Sequence, residues 1–321
     1  MGSGTAVVVG GTGFLGRHIC AALTARGNDV VAVARRPGPP VEGAHVVQLD
    51  AARGSLGDLV AVLKDADLVV SAAGDVWADD EARMAAAHVT AVDRLLDAMA
   101  RLPHRPRLVH LGSVHEYGPV PDGVRVAEDR PAAPVSVHGR TKLAGTQAVL
   151  RSVCEGRVDG CVLRVVNACG PGTPEYSFVG RLAARLRART GDTPLDLTVA
   201  DDRRDYIDAR DVAEAVDLAA RAPVTGRIIN IGRGTATGMR QIADLLVRAS
   251  GIAPHLVRES GGTVRGRGAG WTCVDNTLAH RLLGWAPRVP LETSLRDTWT
   301  ASAVPFGAGD PGTADAAHAG H

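Results

Sequence analysis

The N-terminus joins a strand pattern, a glycine-rich turn and a helical pattern, and this combination restricts the possible folds more than any other feature. Residues 5–9 are apolar or β-branched, and a helical pattern covers residues 14–26. Between them, Gly10 permits a tight turn, Gly13 lets the backbone approach a ligand, and Gly16 lets helix and strand pack closely. Because the amides at a helix N-terminus attract anions, we predict a pyrophosphate site formed by Gly10, Thr12, Gly13, Phe14, Leu15 and Gly16.

Strand and helix patterns alternate after this turn. The apolar runs predict strands at residues 5–9, 29–34, 45–49, 67–71, 107–111, 160–166 and 227–231. Helical periodicity predicts helices at residues 14–26, 56–64, 80–101, 138–154, 175–189 and 211–221. Such alternation is typical of an α/β protein with a doubly wound parallel sheet of the Rossmann type.

The later part of the chain is more polar and richer in Gly and Pro, which indicates a second, smaller unit. We expect residues 1–168, with 206–231 returning to them, to form the dinucleotide-binding domain. Residues 169–205 and 232–302 are expected to form a smaller α/β substrate-binding lobe, with substrate in the cleft between the two. Residues 303–321 lack periodicity and are expected to be a disordered tail.

Composition excludes several classes of function. The chain has 36 Lys and Arg against 35 Asp and Glu, so no charge excess favours nucleic acid or an anionic membrane as a partner. The five cysteines are scattered without a CxxC spacing, so we expect reduced thiols and no metal site. The sequence shows no signal-peptide pattern and no uninterrupted apolar run of about 18 residues, so we expect a soluble cytoplasmic protein.

The end of the second predicted strand bears on the choice of cofactor. An NAD site usually places an acidic side chain there, but this chain has Arg35 and Arg36, which could pair with a 2′-phosphate. We therefore expect NADP, with NAD possible and a solvated loop as the alternative explanation of the arginines. Asp50 ends the third strand and could accept from an adenine amino group or simply cap a turn.

Ordered motifs then extend along the chain to about Trp299. They are the glycine turn, Ala72-Ala73-Gly74, Leu111-Gly112-Ser113-Val114-His115-Glu116-Tyr117-Gly118, His138-Gly139-Arg140-Thr141-Lys142, Leu163 to Gly172, Arg204 to Asp211 and Leu283 to Pro287. In these motifs and their order the sequence resembles the extended short-chain dehydrogenase/reductases, in particular the sugar-nucleotide epimerases, dehydratases and 4-ketoreductases. The resemblance implies that Ala72, Ala73 and Gly74 contact the cofactor.

The resemblance also implies catalytic roles. Ser113 matches the family's hydroxyl that binds the reacting oxygen, and Lys142 matches the lysine of the YxxxK pair, which holds the nicotinamide ribose. The tyrosine of that pair is replaced by His138, which could donate a proton because imidazole titrates near neutrality. We expect Lys142, one helical turn later, to lower the pKa of His138. His115 could be a second donor, although a purely structural role is the alternative for either histidine.

Three further residues match the family's contacts to a substrate diphosphate: Asn167, Arg204 and Arg265. Two arginines and an amide can pair the charge of a buried pyrophosphate, with surface salt bridges as the alternative. The resemblance implies an NADPH-dependent reductase acting on a keto group of a nucleotide-linked deoxysugar. A 4-epimerase with retained cofactor, or a redox-silent protein that binds the dinucleotide as sensor or scaffold, remains an alternative. The family also implies a homodimer through the helices at 80–101 and 138–154.

Overall fold

The computed structural model describes residues 4–36, 40–74, 81–190, 193–259 and 270–302. Its strands are β1 (Thr5–Val9), β2 (Asp29–Ala34), β3 (Ala44–Gln48), β4 (Leu68–Ser71), β5 (Arg107–Ser113), β6 (Asp159–Val165), β7 (Asn167–Cys169), β8 (Leu195–Leu197), β9 (Arg203–Asp208), β10 (Ile228–Ile231), β11 (Ala236–Gly238), β12 (Val257–Glu259) and β13 (Trp271–Thr272). Its α-helices are α1 (Phe14–Ala25), α2 (Leu56–Leu63), α3 (Glu81–Ala85), α4 (Ala91–Met99), α5 (Val137–Cys154), α6 (Phe178–Arg187), α7 (Ala209–Arg221), α8 (Met239–Ser250), α9 (Thr277–Leu283) and α10 (Leu291–Ala301). No helix within these ranges is long and apolar enough to cross a membrane.

Seven strands form one parallel sheet in the order β10-β6-β5-β4-β1-β2-β3. Alternate residues of each strand face opposite sides, so Val8 and Val70 pack with the α1 and α7 side while Val7 and Val69 pack with the α2, α4 and α5 side. A parallel sheet covered by helices on both faces needs such continuous apolar strands. The predicted Rossmann-type α/β fold is therefore confirmed.

A second, smaller sheet is built around β9. This strand pairs in parallel with β7 and β13 and antiparallel with β11, while β8 and β12 form a separate parallel pair. Helices α6, α8 and α10 share an apolar cluster beside this sheet, with members such as Leu182, Leu246 and Leu295. Strand β9 of the smaller sheet includes residue 206, where the return to the dinucleotide-binding domain was predicted. The chain reaches the large sheet after β9, through α7 and β10.

The helix predicted over residues 80–101 is present from residue 81 to residue 99, but it is not a single α-helix. Within residues 81–99, a five-residue π-helical turn, Ala86–Thr90, separates α3 from α4. A Cβ on Gly145 of α5 would lie 2.4 Å from the backbone oxygen of His88, so α5 and this turn touch through backbone. The π turn lets the helix pass α5 at this distance and leaves the His88 side chain buried against α5.

Candidate active site

The glycine turn has the geometry that its sequence predicts. Gly10 has a φ of 89°, in the region that favours glycine, and a Cβ there would lie 2.7 Å from the Ala73 backbone nitrogen. A Cβ on Gly16 would lie 2.1 Å from the Gly10 carbonyl oxygen. Helix α1 begins after Gly13 with no side-chain cap and no acidic residue in its first turn. These residues therefore fit the diphosphate of a dinucleotide, which the α1 amides could bind.

The side chains expected to recognise the adenosine half of the cofactor lie at the ends of β2 and β3. Arg35 and Arg36 follow β2 and are exposed. Asp50 accepts hydrogen bonds through Oδ1 from the amides of Ala52 (2.9 Å) and Arg53 (3.2 Å). One oxygen of Asp50 therefore caps a turn, as the alternative explanation held, and the contact between its carboxylate and adenine stays a prediction.

Ser113 ends β5 and starts a short 3₁₀ turn, Val114–Tyr117. Its hydroxyl oxygen accepts from the His115 amide (3.3 Å), which leaves the hydroxyl hydrogen available to a ligand. The Ser113 amide donates to Glu116 Oε1 (2.8 Å), and Glu116 Oε2 accepts from Arg164 Nε (2.7 Å) in a buried ion pair. The Glu116 carboxylate thus links the Ser113 backbone to Arg164, and these hydrogen bonds hold the turn that positions Ser113.

Lys142 is buried on the α5 face that packs against the sheet. Its Nζ donates to the Leu111 carbonyl oxygen (3.0 Å), and burial lowers its pKa to about 8, although Glu116 opposes the shift. A Cβ on Gly74 would lie 3.6 Å from this Nζ. The structure thereby brings together the Ala72–Gly74 segment and Lys142, which the sequence assigned separately to the cofactor.

His138 occupies the first turn of α5, one turn before Lys142. A Cβ on the next residue, Gly139, would lie 2.5 Å from the His115 carbonyl oxygen, so the start of α5 rests on the turn that follows Ser113. The His138 and His115 rings meet edge-to-face with centroids 5.5 Å apart. Burial, and then the charge of Lys142, lower the pKa of His138 to about 3, so the expected direction is confirmed and desolvation is the larger cause.

His88, from the π-helical turn, joins this cluster. Its ring lies edge-to-face with His138 at 5.3 Å, and its Nδ1 is 2.8 Å from Thr141 Oγ1. Thr141 Oγ1 also lies within hydrogen-bond distance of the Val137 and His138 carbonyl oxygens (3.0 and 3.2 Å), so this hydroxyl links His88 to the first turn of α5.

Burial lowers the pKa of each of these rings, and no anionic side chain among the described residues offsets the shift. Burial, followed by Lys142, lowers the pKa of His88 to about 2 and that of His110 to about 3. Burial, followed by Arg204, lowers the pKa of His115 to about 4. His110 lies in β5 with Nδ1 3.0 Å from Ser71 Oγ, and its Nε2 is buried without a partner among the residues the structure describes. Sequence reasoning missed the part of His110 and Thr141 in this cluster because only the fold makes them neighbours.

The residues expected to bind substrate lie on the smaller sheet. Arg204 of β9 is buried, pairs with Asp202 (2.6 Å) and lies 3.5 Å from Thr272 Oγ1. Asn167 of β7 donates from Nδ2 to the Asp205 carbonyl oxygen (3.2 Å). The predicted Arg265 lies outside the described residues. The structure therefore places Arg204 close enough to His115 to lower its pKa, and it places Asn167 on the strand beside β9.

A cleft opens beside His115 between the turn after Ser113 and β13. Val135, at its rim, is 63% exposed, and the indole nitrogen of Trp271 donates to the Val124 carbonyl oxygen (2.8 Å). The cleft is lined by Val114, His115, Gly118, Pro119, Val120, Val126, Val135, Ser136, Trp271 and Thr272. Among the described residues, no group of three or more His, Cys, Asp or Glu side chains could hold a metal ion.

Comparison with known proteins identifies the family of this chain. The model of the NAD dependent epimerase/dehydratase family matches residues 6–232, and the chain belongs to that family. Its members are NAD-dependent enzymes, so the predicted family and the prediction of an enzyme are both confirmed. That His138 occupies the position of the family's tyrosine stays a prediction.

Individual relatives cover almost the whole chain. It is 39% identical over 303 residues to a dTDP-6-deoxy-L-talose 4-dehydrogenase (NAD(P)(+)) of Kitasatospora kifunensis, covering 92% of this chain and 95% of that protein. It is 26% identical over 310 residues to a UDP-glucose 4-epimerase of Mycolicibacterium smegmatis, covering 91% and 96%. The solved structure of MoeE5 in complex with UDP-glucuronic acid and NAD matches with a TM-score of 0.82 at 27% identity, covering 94% of this chain and all of that one.

Proposed function

We propose that this enzyme modifies a nucleotide-linked sugar by oxidoreduction, and specifically that it reduces a keto group of a nucleotide-linked deoxysugar with NADPH. The observation that carries the proposal is the packing of the first turn of α5, which holds His138, against the turn after Ser113, with Lys142 one helical turn further on. The relative in Kitasatospora kifunensis, a dTDP-6-deoxysugar 4-dehydrogenase, supports the substrate class and the position of the reacting group.

Each residue has a distinct part in the proposed reaction. The nicotinamide supplies the hydride when it is bound. The Ser113 hydroxyl donates a hydrogen bond to the reacting oxygen and stabilises the charge that develops there. His138 gives this oxygen its proton, and the ammonium of Lys142 binds the nicotinamide ribose and stabilises negative charge at the same edge of the sheet. Arg204 and Asn167 bind the diphosphate of the substrate, and Arg265 is proposed as a second cation there.

Cofactor preference follows from the two exposed arginines after β2. We predict that NADPH binds at least tenfold more tightly than NADH, which is about 1.4 kcal/mol, because a guanidinium can pair with the 2′-phosphate. Fluorescence titration of both cofactors measures this ratio. In the double variant Arg35→Ala, Arg36→Ala the preference should disappear, whereas Arg53→Ala, an arginine after β3, should leave it unchanged. Equal affinities in the wild type, or an unchanged ratio in the double variant, would refute the assignment.

A 4-epimerase is the second candidate, favoured by the similarity to the UDP-glucose 4-epimerase of Mycolicibacterium smegmatis. The two reactions differ in net cofactor use, since a reductase consumes one NADPH per product whereas an epimerase consumes none. We expect stoichiometric loss of NADPH absorbance with a dTDP-4-keto-6-deoxysugar. Conversion of one dTDP- or UDP-hexose into its 4-epimer without loss of NADPH would favour the epimerase. Binding of the dinucleotide without turnover of either substrate class would favour the redox-silent alternative, which the absence of the tyrosine motivates.

A further inference from the structure

Asp205 is a buried carboxylate in β9 that has no part in the proposed reaction. Its residue is 0% exposed. Oδ1 accepts from the Arg233 amide (3.0 Å), and Oδ2 accepts from the amides of Gly234 (2.9 Å) and Val274 (3.3 Å). Burying a carboxylate is costly unless it is hydrogen-bonded, and a backbone amide bonds strongly to an ionised oxygen. The amides therefore hold Asp205, and Asp205 in turn holds the two segments that carry them.

These two segments lie where the chain passes between the two sheets. Residues 233–234 connect β10 of the large sheet to β11 of the smaller one, and Val274 follows β13. The packing around the carboxylate is close, because a Cβ on Gly232 would lie 2.9 Å from Asp205 Oδ2 and 2.6 Å from Val274 Cγ2. Asp205 thus joins β9 both to the segment that leaves the large sheet and to the segment after β13.

The residues proposed to bind the substrate diphosphate are attached to the same network. Arg204 is the residue before Asp205, so its side chain leaves β9 on the opposite face. The carbonyl oxygen of Asp205 accepts from Asn167 Nδ2 (3.2 Å). Thr272, whose Oγ1 lies 3.5 Å from Arg204 Nη1, is two residues before Val274 on the same segment. Loss of the carboxylate would therefore loosen the strands that hold these side chains.

We propose that Asp205 is the positioning residue of the diphosphate site: its carboxylate fixes the alignment of β7, β9 and β13 and thereby the placement of Arg204 and Asn167. This inference rests on the nucleotide-sugar function proposed above, and the ligand concerned is the diphosphate of a nucleoside diphosphate. Asp205 acts through its neighbours and not by contact with that ligand. Burial raises the pKa of Asp205 to about 6, although its three amide donors oppose the shift, so the carboxylate is ionised in an assay at about pH 7.5.

Asp205→Asn tests this role, because it keeps the size of the side chain but replaces one acceptor oxygen with an amide group that donates. Calorimetric titration at about pH 7.5 should show that dTDP and UDP bind roughly tenfold or more weakly than to wild type, and KM for a dTDP-4-keto-6-deoxysugar should rise by a similar factor. The dissociation constant of NADPH should stay within about twofold and kcat within about threefold, because the glycine turn and Ser113 belong to the large sheet. A residue that only stabilises the fold would not change KM selectively.

The wild-type protein gives a second readout that needs no variant and no turnover. Because coupling between two sites is reciprocal, dTDP bound at Arg204 must stabilise the hydrogen bonds of Asp205. Amide hydrogen exchange at Gly234 and Val274 should therefore slow by roughly threefold or more at saturating dTDP, whereas exchange in α2 should not change. If Asp205→Asn fails to fold, this experiment decides alone.

Asp211→Asn is the matched control. Asp211 of α7 is also buried, and its two oxygens accept from the amides of Arg288 and Val289 (3.0 Å each). This variant should keep the wild-type affinity for dTDP. Wild-type dTDP affinity in Asp205→Asn, an equal loss in Asp211→Asn, or amide exchange that dTDP leaves unchanged would overturn the inference. Failure of both dTDP and UDP to bind the wild type would instead refute the proposed diphosphate site, and the inference with it.

Discussion

Replacement of His138 with alanine is expected to lower kcat by roughly 10² to 10⁴, the usual contribution of a positioned proton donor. The side chain lies in the first turn of α5, one helical turn before Lys142, and its ring contacts those of His115 and His88 edge-to-face. Binding of NADPH should be nearly unchanged, because His138 is not among the residues that form the diphosphate turn. Steady-state kinetics with a dTDP-4-keto-6-deoxysugar, together with a fluorescence titration of the cofactor, measures both quantities.

His138→Tyr is the informative companion variant. The phenol restores the YxxxK pair at Lys142, so it should recover much of the activity that the alanine variant loses. The Arg140→Ala variant, two residues along α5 and exposed, is the matched control and should retain wild-type kcat. A His138→Ala enzyme with nearly unchanged kcat would show that water, His115 or the substrate itself provides the proton.

The second large effect is expected at Arg204. Its guanidinium is buried, forms an ion pair with Asp202 (2.6 Å) and lies close enough to His115 to lower the pKa of that ring. If it binds the substrate diphosphate, Arg204→Ala should raise KM for a nucleotide sugar by roughly 10 to 100-fold, since a charge-assisted bond to a buried anion contributes about 1.5 to 3 kcal/mol. Affinity for NADPH should not change, because Arg204 lies on the smaller sheet.

Arg203 offers the control for this prediction. It is the neighbouring residue on β9, but it is exposed, lies 5.9 Å from the Trp271 ring centroid and donates to the Ala236 carbonyl oxygen (3.2 Å). Arg203→Ala should change KM by less than about twofold. An Arg204→Ala enzyme that keeps the wild-type KM would remove the diphosphate assignment and would favour a small ketone or aldehyde without a nucleotide as substrate.

The large sheet could be predicted from sequence because its signals are local. Each strand is a short apolar run, and the glycine turn has requirements that only glycine meets, as the 2.1 Å approach at Gly16 shows. Helix α8 also carried such a signal, since Met239, Ile242, Ala243, Leu246 and Val247 have helical spacing, but the surrounding polar and Gly-rich composition concealed it. Composition was therefore a poorer guide than periodicity in the second half of the chain.

The π turn and the histidine cluster could not be predicted in this way. The turn at residues 86–90 depends on the close fit of the His88 backbone against Gly145, more than fifty residues later. The role of Glu116 depends on its buried pair with Arg164 of the neighbouring strand. Motif positions identified Ser113, His138 and Lys142 and predicted the effect of Lys142 on the His138 pKa, but the larger cause of that shift is burial, which only the folded structure reveals.

The central step of the proposed reaction is transfer of a hydride from NADPH to a nucleotide-linked keto sugar. NADPH carrying deuterium at the reactive nicotinamide carbon should be incubated with a dTDP-4-keto-6-deoxysugar and the enzyme, and the product examined by NMR. We predict one deuterium at C4 of the product sugar for each NADPH oxidised, with none in His138→Ala over the same short incubation. Recovery of the unreacted keto sugar with all of the NADPH intact, under conditions where the cofactor is bound, would contradict the account.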